Sequence, residues 1–319
     1  MLWVMSHPSL RVTESARESV LAVTRQLTVL RDLSRGFNEL LTPDGYNPKT
    51  KRGRARGYST AILHFAPGHR SGYEVCGGLN DGSKDHGRSA GCTFGCLNTA
   101  GHGGILLDAD DLNAVQRARI ARTRMMFLDR FAFNALLVAN TESHIRRARK
   151  HGLTPVERPN GTSDLPWEWL RLNDGRTLLE TFSDVQFYDY TKSARRALAF
   201  ARGQMPGNYH LTFSRSEVND ADCERVLAAG GNVAVVMKIC DCRRACHHEI
   251  PAGLTYMGYP VINGDADDLR FLDPAGVVVG LKAKGRAKSD TTGFVVDMTD
   301  AIRALSPDVV SLKGTARAA

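Results

Sequence analysis

Residues 14–41 place Val20, Val23, Leu27, Leu30 and Leu33 at intervals of three or four, one apolar stripe along a predicted helix. The next stretch, "TPDGYNPKTKRGRARG", mixes proline, glycine and positive charge and reads as a linker. "STAILHF" is a short β-rich run. Residues 110–150 then read as one helix or two. Asp108, Asp110 and Asp111 sit at the expected N-terminus, Arg146, Arg147, Arg149 and Lys150 suit the C-terminus, and Gly152 stops it. Further strand-like runs follow: "TPVERPNGTSD", "DVQFYDYTK", "NYHLTFSRSE", "GNVAVVMK" and "GVVVGLKAKG". Helical spacers such as "SARRALAFARG" and "VNDADCERVLAAGG" separate several of them. Apolar, β-branched strands alternating with helices predict a parallel sheet covered by helices. Right-handed crossovers then leave a barrel, a partial barrel or a doubly wound sheet.

Polar residues gather at the carboxyl end of each run: Asn160, Thr162, Ser163 and Asp164; Asp189, Thr191 and Lys192; Ser214, Arg215 and Glu217; Lys238; Lys282 and Lys284. That edge of a parallel α/β sheet is where ligands bind. A shared pocket there leans the expectation toward an α/β fold with a partial or complete parallel β/α barrel and an N-terminal accessory helix. The expected organisation is a helix and basic linker over 1–57, a β/α domain over 58–300 and a tail over 301–319.

Composition changes this picture in two places. With 319 residues, 42% of them hydrophobic, the chain has enough apolar material for a real core. No apolar run is long enough to span a bilayer, and the N-terminus lacks a basic region followed by an apolar one, so the expected location is cytoplasmic. The formal charge of +8 suits an anionic partner, either a small molecule or nucleic acid. Part of it is local: "KTKRGRAR", Lys49 to Arg56, reads as a solvated linker, with a phosphate-binding arm as the alternative.

Six of seven cysteines fall in two clusters: Cys76, Cys92 and Cys96, then Cys240, Cys242 and Cys246. In a reducing compartment such clusters read as metal or redox ligands before disulfides. Three thiolates can hold three irons of a [4Fe–4S] cluster and leave the fourth open. A structural zinc would need a fourth ligand, which His86 or His102 could supply. The alternative is that these cysteines are small buried hydrophobes beside a glycine turn. The second cluster, "CDCRRACHHE", could form a zinc knuckle from Cys240, Cys242, Cys246 and His247 or His248.

A strand, a loop with three cysteines and a helix opening a β/α series resembles the layout of radical S-adenosylmethionine enzymes. Their usual spacing is C-x3-C-x2-C, and here it is C-x15-C-x3-C. The resemblance implies a [4Fe–4S] cluster on Cys76, Cys92 and Cys96 and a bound S-adenosylmethionine, contacted by Asn160, Ser163 and Asp164 in "NGTSD". The strings "GCTFGCLNTAGHGG", "NAVQRARIARTRMMFLDRFAF", "NGTSDLPWE", "VQFYDYTK", "NYHLTFSRSE", "GGNVAVV" and "DDLRFLDPAGVVVGLKAKG" together resemble the phage gene product 88 domain family. That likeness implies a bacteriophage or prophage origin and no known chemistry.

Other polar residues fill in roles. Asp189 and Lys192 could pair as acid and base, and the planar fork of Arg215 suits a carboxylate or phosphate. Asp265, Asp267 and Asp268 read as turn caps rather than Mg²⁺ ligands. Trp167 and Trp169 read as helix packing, with base stacking as the alternative. The expected function is a phage-derived iron–sulfur enzyme acting on an anionic substrate, with Asp164, Lys192, Arg215 and Lys282 as catalytic or orienting groups. The rival is a non-enzymatic, zinc-stabilised protein that binds nucleic acid or a host factor, using Arg52, Arg54 and Arg56. A metal-free hydrolase ranks last, because no G-x-S-x-G motif is present.

Overall fold

The computed structural model describes residues 39–76, 90–99, 101–105, 112–241 and 248–305. The predicted helix over 14–41 lies almost wholly outside them. So do His86, the aspartates at 108, 110 and 111, Cys242, Cys246, His247 and the end of the tail.

In chain order the elements are β1 (Leu41–Thr42), α1 (Pro48–Arg54), β2 (Tyr58–Leu63), α2 (Gly68–Ser71), α3 (Ala90–Phe94), α4 (Ala114–Leu128) and α5 (Arg130–Lys150). Then come β3 (Thr154–Arg158), α6 (Leu178–Thr181), β4 (Gln186–Thr191), α7 (Ala194–Ala201), β5 (Tyr209–Ser214), α8 (Asp220–Ala228) and β6 (Val233–Lys238). The chain closes with β7 (Thr255–Tyr256), β8 (Tyr259–Asn263), β9 (Val278–Lys282), β10 (Val296–Asp297) and α9 (Thr299–Leu305). Among the described residues this is a mixed α/β fold of nine helices on one mostly parallel ten-stranded sheet, ordered β1-β2-β3-β4-β5-β6-β9-β8-β7. The hydrogen-bonded path starts at β1 and stops at β7, so the described strands give an open path and not a closed ring. β5 leaves β6 after Ala234, and β10 takes over the same flank of β6 at Met237 and Lys238.

The predicted helix over 110–150 is two. Asp129 ends α4 and its carboxylate accepts from Ala132 N to start α5. Asn113 caps α4. Gly152, at φ +67°, stops α5 in the left-handed conformation a glycine takes without strain.

Strand alternation sorts the side chains. Phe187 and Leu211 face the helices and join Phe133 and Leu137 of α5 in the larger core. Tyr188 faces the other side, where Leu269 and Phe271 cover it together with Val156. That second face is held by charge. Asp268 accepts from Arg158 at 3.2 Å and from the Tyr188 hydroxyl at 3.1 Å, all three largely or fully buried. Burial works against the Arg158 charge, but Asp268 together with Tyr190, Tyr188 and Asp189 outweighs it, so the guanidinium is held charged.

The basic run at Lys49–Arg56 is not a linker. Asn47 accepts from Lys49 N and Pro48 opens the first turn, so the segment forms α1. Its charges dock on the loop after β8: Lys49 Nζ lies 2.8 Å from Asp265, and Arg56 Nη1 lies 2.5 Å from Asp267. Arg52 donates to the carbonyls of Asp265 and Ala266, and Arg54 pairs with Asp44. The three aspartates after β8 are therefore ion-pair anchors.

One buried cation organises the carboxyl edge. Arg196 of α7 donates to Asp164 at 2.5 Å and to both oxygens of Glu168 at 2.6 and 2.8 Å. Its side chain is 4% exposed. Burial opposes the charge, but Tyr209, Asp164 and Glu168 keep it protonated. This fork ties the loop after β3 to the start of α7.

Replacing Arg196 by Met leaves two buried carboxylates without their cation, and urea denaturation is expected to show a loss of about 3–5 kcal/mol. Arg196→Lys recovers little, because an ammonium cannot reproduce the fork. A second expectation concerns Glu157, whose carboxyl burial pushes up to about 8, the Thr141 hydroxyl at 3.1 Å offsetting only part of it. The unfolded chain ionises near about 4.3, so the folded state loses stability as pH rises from there toward about 8. Glu157→Gln is expected to raise the melting temperature at pH 8 by about 5 °C or more and to leave it nearly unchanged at pH 4.

Candidate functional site

The carboxyl edge of β2, β3, β4 and β5 carries the predicted site, and the thiols come to it from two segments. Cys76 follows β2. Its Sγ lies 3.9 Å from the carbonyl oxygen of Thr162, in the loop after β3. Asp164 N donates to Val75 O, which clamps the two loops together. Cys92 sits on α3 and Cys96 just after it. Burial raises the Cys76 thiol, and the charges of Cys96, Glu74, Cys92 and Asp164 raise it further. Cys92 and Cys96 thus lie near enough to Cys76 to act on its charge. Among the described residues, no three His, Cys, Asp or Glu side chains converge on a point that a single metal ion could occupy.

Glycine makes the close approaches. A Cβ on Gly91 would meet Thr292 Oγ1 at 2.2 Å and Phe294 Cβ at 2.4 Å, so α3 lies flush on the turn at 290–294. Gly91 N donates to Glu217 Oε1 at 2.7 Å. The turn after α3 is pinned to α4. Asn98 and Gln116 exchange hydrogen bonds, Gln116 also donates to Gly103 O, and Arg119 Nη1 donates to Asn98 O at 2.9 Å. Burial raises the Cys96 thiol, Asn98 N and Arg119 lower it, and Cys92 raises it. Arg119 therefore favours a thiolate at Cys96.

Several predicted site residues prove to be fasteners. Asn160 accepts from Ser163 Oγ, Leu165 N and Trp167 Nε1 and donates to Leu165 O and Asp189, all within 3.3 Å. Asp164 is held by Arg196, Lys192 N and the Thr191 hydroxyl. Asp189, pushed up to about 7 by burial, accepts from Asn160 N and the Tyr209 hydroxyl, and its proposed partner Lys192 points elsewhere. Lys192 Nζ donates to Ser214 and to Arg215 O and lies 5.4 Å from the Phe294 ring centroid. Arg215 grips Asp220 at 2.7 Å and the carbonyls of Gly293 and Phe294, so it braces the turn beneath α3. Lys192 and Arg215 thus meet at Phe294, beside the cysteine helix. Lys282 does not join them: its ammonium donates to His248 O, and Lys284 pairs with Asp265. Trp167 is buried, whereas Trp169 is 46% exposed. Of the candidate ligands in the second cluster, Cys240 and His248 are described.

Three site residues escaped the sequence reading. His64, just past β2, is kept neutral by burial and by the positive charges of Arg119, Arg158 and Arg122. Arg119 had a readable signal: the buried face of α4 carries Gln116, Arg119 and Thr123 where an ordinary core helix carries apolar residues. Arg158 had none, because its partner Asp268 is remote in sequence.

No helix among the described residues is long and apolar enough to cross a membrane. No curated protein and no solved structure matches the chain. A family model does: the one described as Gene product 88 matches residues 37–298, from the entry of β1 through β10 and past the turn that supports the cysteine helix. With well over half of its length matched, this chain belongs to the gene product 88 family.

Proposed function

We propose that this protein is an iron–sulfur enzyme built on a partial β/α barrel, with a cluster on Cys76, Cys92 and Cys96, acting on an anionic nucleotide or nucleic-acid substrate. The observation that carries the reading is the placing of Cys76 against the loop after β3, with Cys92 and Cys96 near enough to act on its charge, at the carboxyl edge of a sheet whose strands β2 to β6 run in sequential parallel order. Their neighbours Glu74 and Asp164 add negative charge, a setting that a cationic inorganic centre would neutralise.

The donor set suits several irons better than one zinc. A single zinc holds its thiolates within about 4 Å of one another, because each Zn–S bond is about 2.3 Å. A cube of four irons takes three thiolates on three separate irons, so three cysteines suffice without a fourth protein ligand. Such a cluster, held by Cys76, Cys92 and Cys96, would pass single electrons from an external reductant to a bound sulfonium.

The chain's own groups set up that site. Arg119 and Asn98 N favour the thiolate of Cys96. Asn160 and Asp164 fix the loop after β3 and leave the carbonyl of Thr162 toward Cys76, so S-adenosylmethionine would meet backbone there rather than those two side chains. Lys192 presents a positive charge beside Phe294. Arg119 and Arg122 add positive charge near His64, whereas that of Arg158 is met by Asp268. The rival reading is weakened by the engagement of Arg52, Arg54 and Arg56 with the loop after β8 and with Asp44.

Anaerobic reconstitution with iron and sulfide is the test. About four irons per chain, a broad visible absorbance, and cleavage of S-adenosylmethionine to 5′-deoxyadenosine after reduction are expected. Cys76→Ala, Cys92→Ala and Cys96→Ala should each bring iron to background levels, while Cys240→Ala keeps it. Stoichiometric zinc, or iron retained in all three variants, would sink the proposal.

A further inference from the structure

An open groove of about 340 Å³ runs along one face of α7, with Ala194, Leu198 and Ala199 in its lining and Arg225 of α8 at its border. Three arginines border it: Arg195 and Arg202 from the α7 side and Arg225 from α8, all exposed. Arg195, Leu198, Ala199 and Arg202 recur at helical spacing, so one face of α7 is basic at both ends and apolar between. The two arginines are about 10 Å apart along the helix axis. Arg225 also pairs with Asp222 of its own helix. At the end nearer the carboxyl edge stands Trp169, a large exposed ring with the Arg195 guanidinium 4.8 Å from its centroid.

We infer that this groove binds single-stranded nucleic acid. Phosphates would lie against Arg195, Arg202 and Arg225, and a base would stack at Trp169. The argument is the combination. A basic rim alone would suit any anion, but an exposed indole beside an arginine is the pairing that takes the flat face of a base together with its phosphate. An acidic peptide would use the arginines and leave the indole idle. The site is separate from the cysteine turn, and its occupancy does not depend on the iron–sulfur reading.

Fluorescence anisotropy with a labelled twelve-nucleotide oligothymidylate, at several salt concentrations and without iron, tests this. The Arg195→Glu/Arg202→Glu double variant is expected to weaken binding at least tenfold and to flatten the slope of log affinity against log salt by about 1.4, the share of two phosphates. Trp169→Ala should weaken binding fivefold or more, and Trp169→Phe should keep most of it. Arg146→Glu, on the exposed face of α5, should change affinity less than twofold, and thermal melts confirm that each variant is folded. Equal losses in the Arg146 control, or no change in the groove variants, overturn the inference. Tighter binding of a polyglutamate peptide than of the oligonucleotide, with the same arginine dependence, replaces it with an acidic-peptide site.

Discussion

A single buried guanidinium, Arg196, holds two carboxylates from the loop after β3 against the start of α7. Three ionisable groups leave water together there, which is costly unless the geometry is fully met. Both oxygens of Glu168 and one of Asp164 accept from the fork, and the other Asp164 oxygen accepts from the backbone and side chain at Lys192 and Thr191. Once fixed, Asp164 sets the strand-to-loop turn by donating its own N–H to Val75 O, one residue before Cys76. The position of a thiol therefore rests on an ion pair that touches no ligand.

The two faces of the sheet are stabilised by different physics. The helical face is an apolar core of aromatic and aliphatic side chains. The other face carries Arg158, Tyr188, Asp268 and Arg270, with a small apolar cluster around Leu269. Charged groups from α1 and the loop after β8 close it, in pairs such as Lys49 with Asp265 and Arg56 with Asp267. A partly ionic lining fixes geometry through direction as well as contact.

The alternation of apolar strands and amphipathic helices from Ser59 onward was legible because each run buries a face locally. The small strands were not. β7 and β8 turn through Met257 at φ +51° and Gly258 at φ +78°, and methionine is not a residue whose sequence announces a left-handed turn. The helix α1 was readable from Asn47-Pro48, a capping pair, but the five basic residues of the run Lys49–Arg56 masked it, since the partners of Lys49 and Arg56 are more than two hundred residues away. The site divides in the same way. Cysteine spacing singled out Cys76, Cys92 and Cys96, because soft ligands are rare enough to be noticed, and Cys76 sits against the loop after β3. The polar residues at the strand ends were correctly placed at one edge, yet sequence cannot tell a side chain that meets a ligand from one that meets another side chain. Asn160, Asp164 and Arg215 belong to the second kind.

The seat of the cysteine helix has a consequence for biosynthesis. α3 rests on Thr292 and Phe294 with no room for a methyl group at Gly91, and Arg215 and Glu217 brace the same contact. Half of that surface is translated some two hundred residues after the other half. While the ribosome is still extending the chain, the turn bearing two of the three sulfurs has nothing to lean on. The two sulfurs borne there take up the arrangement seen in the folded chain only once residues 290–294 have also emerged, so their setting is completed after translation of that turn and not before.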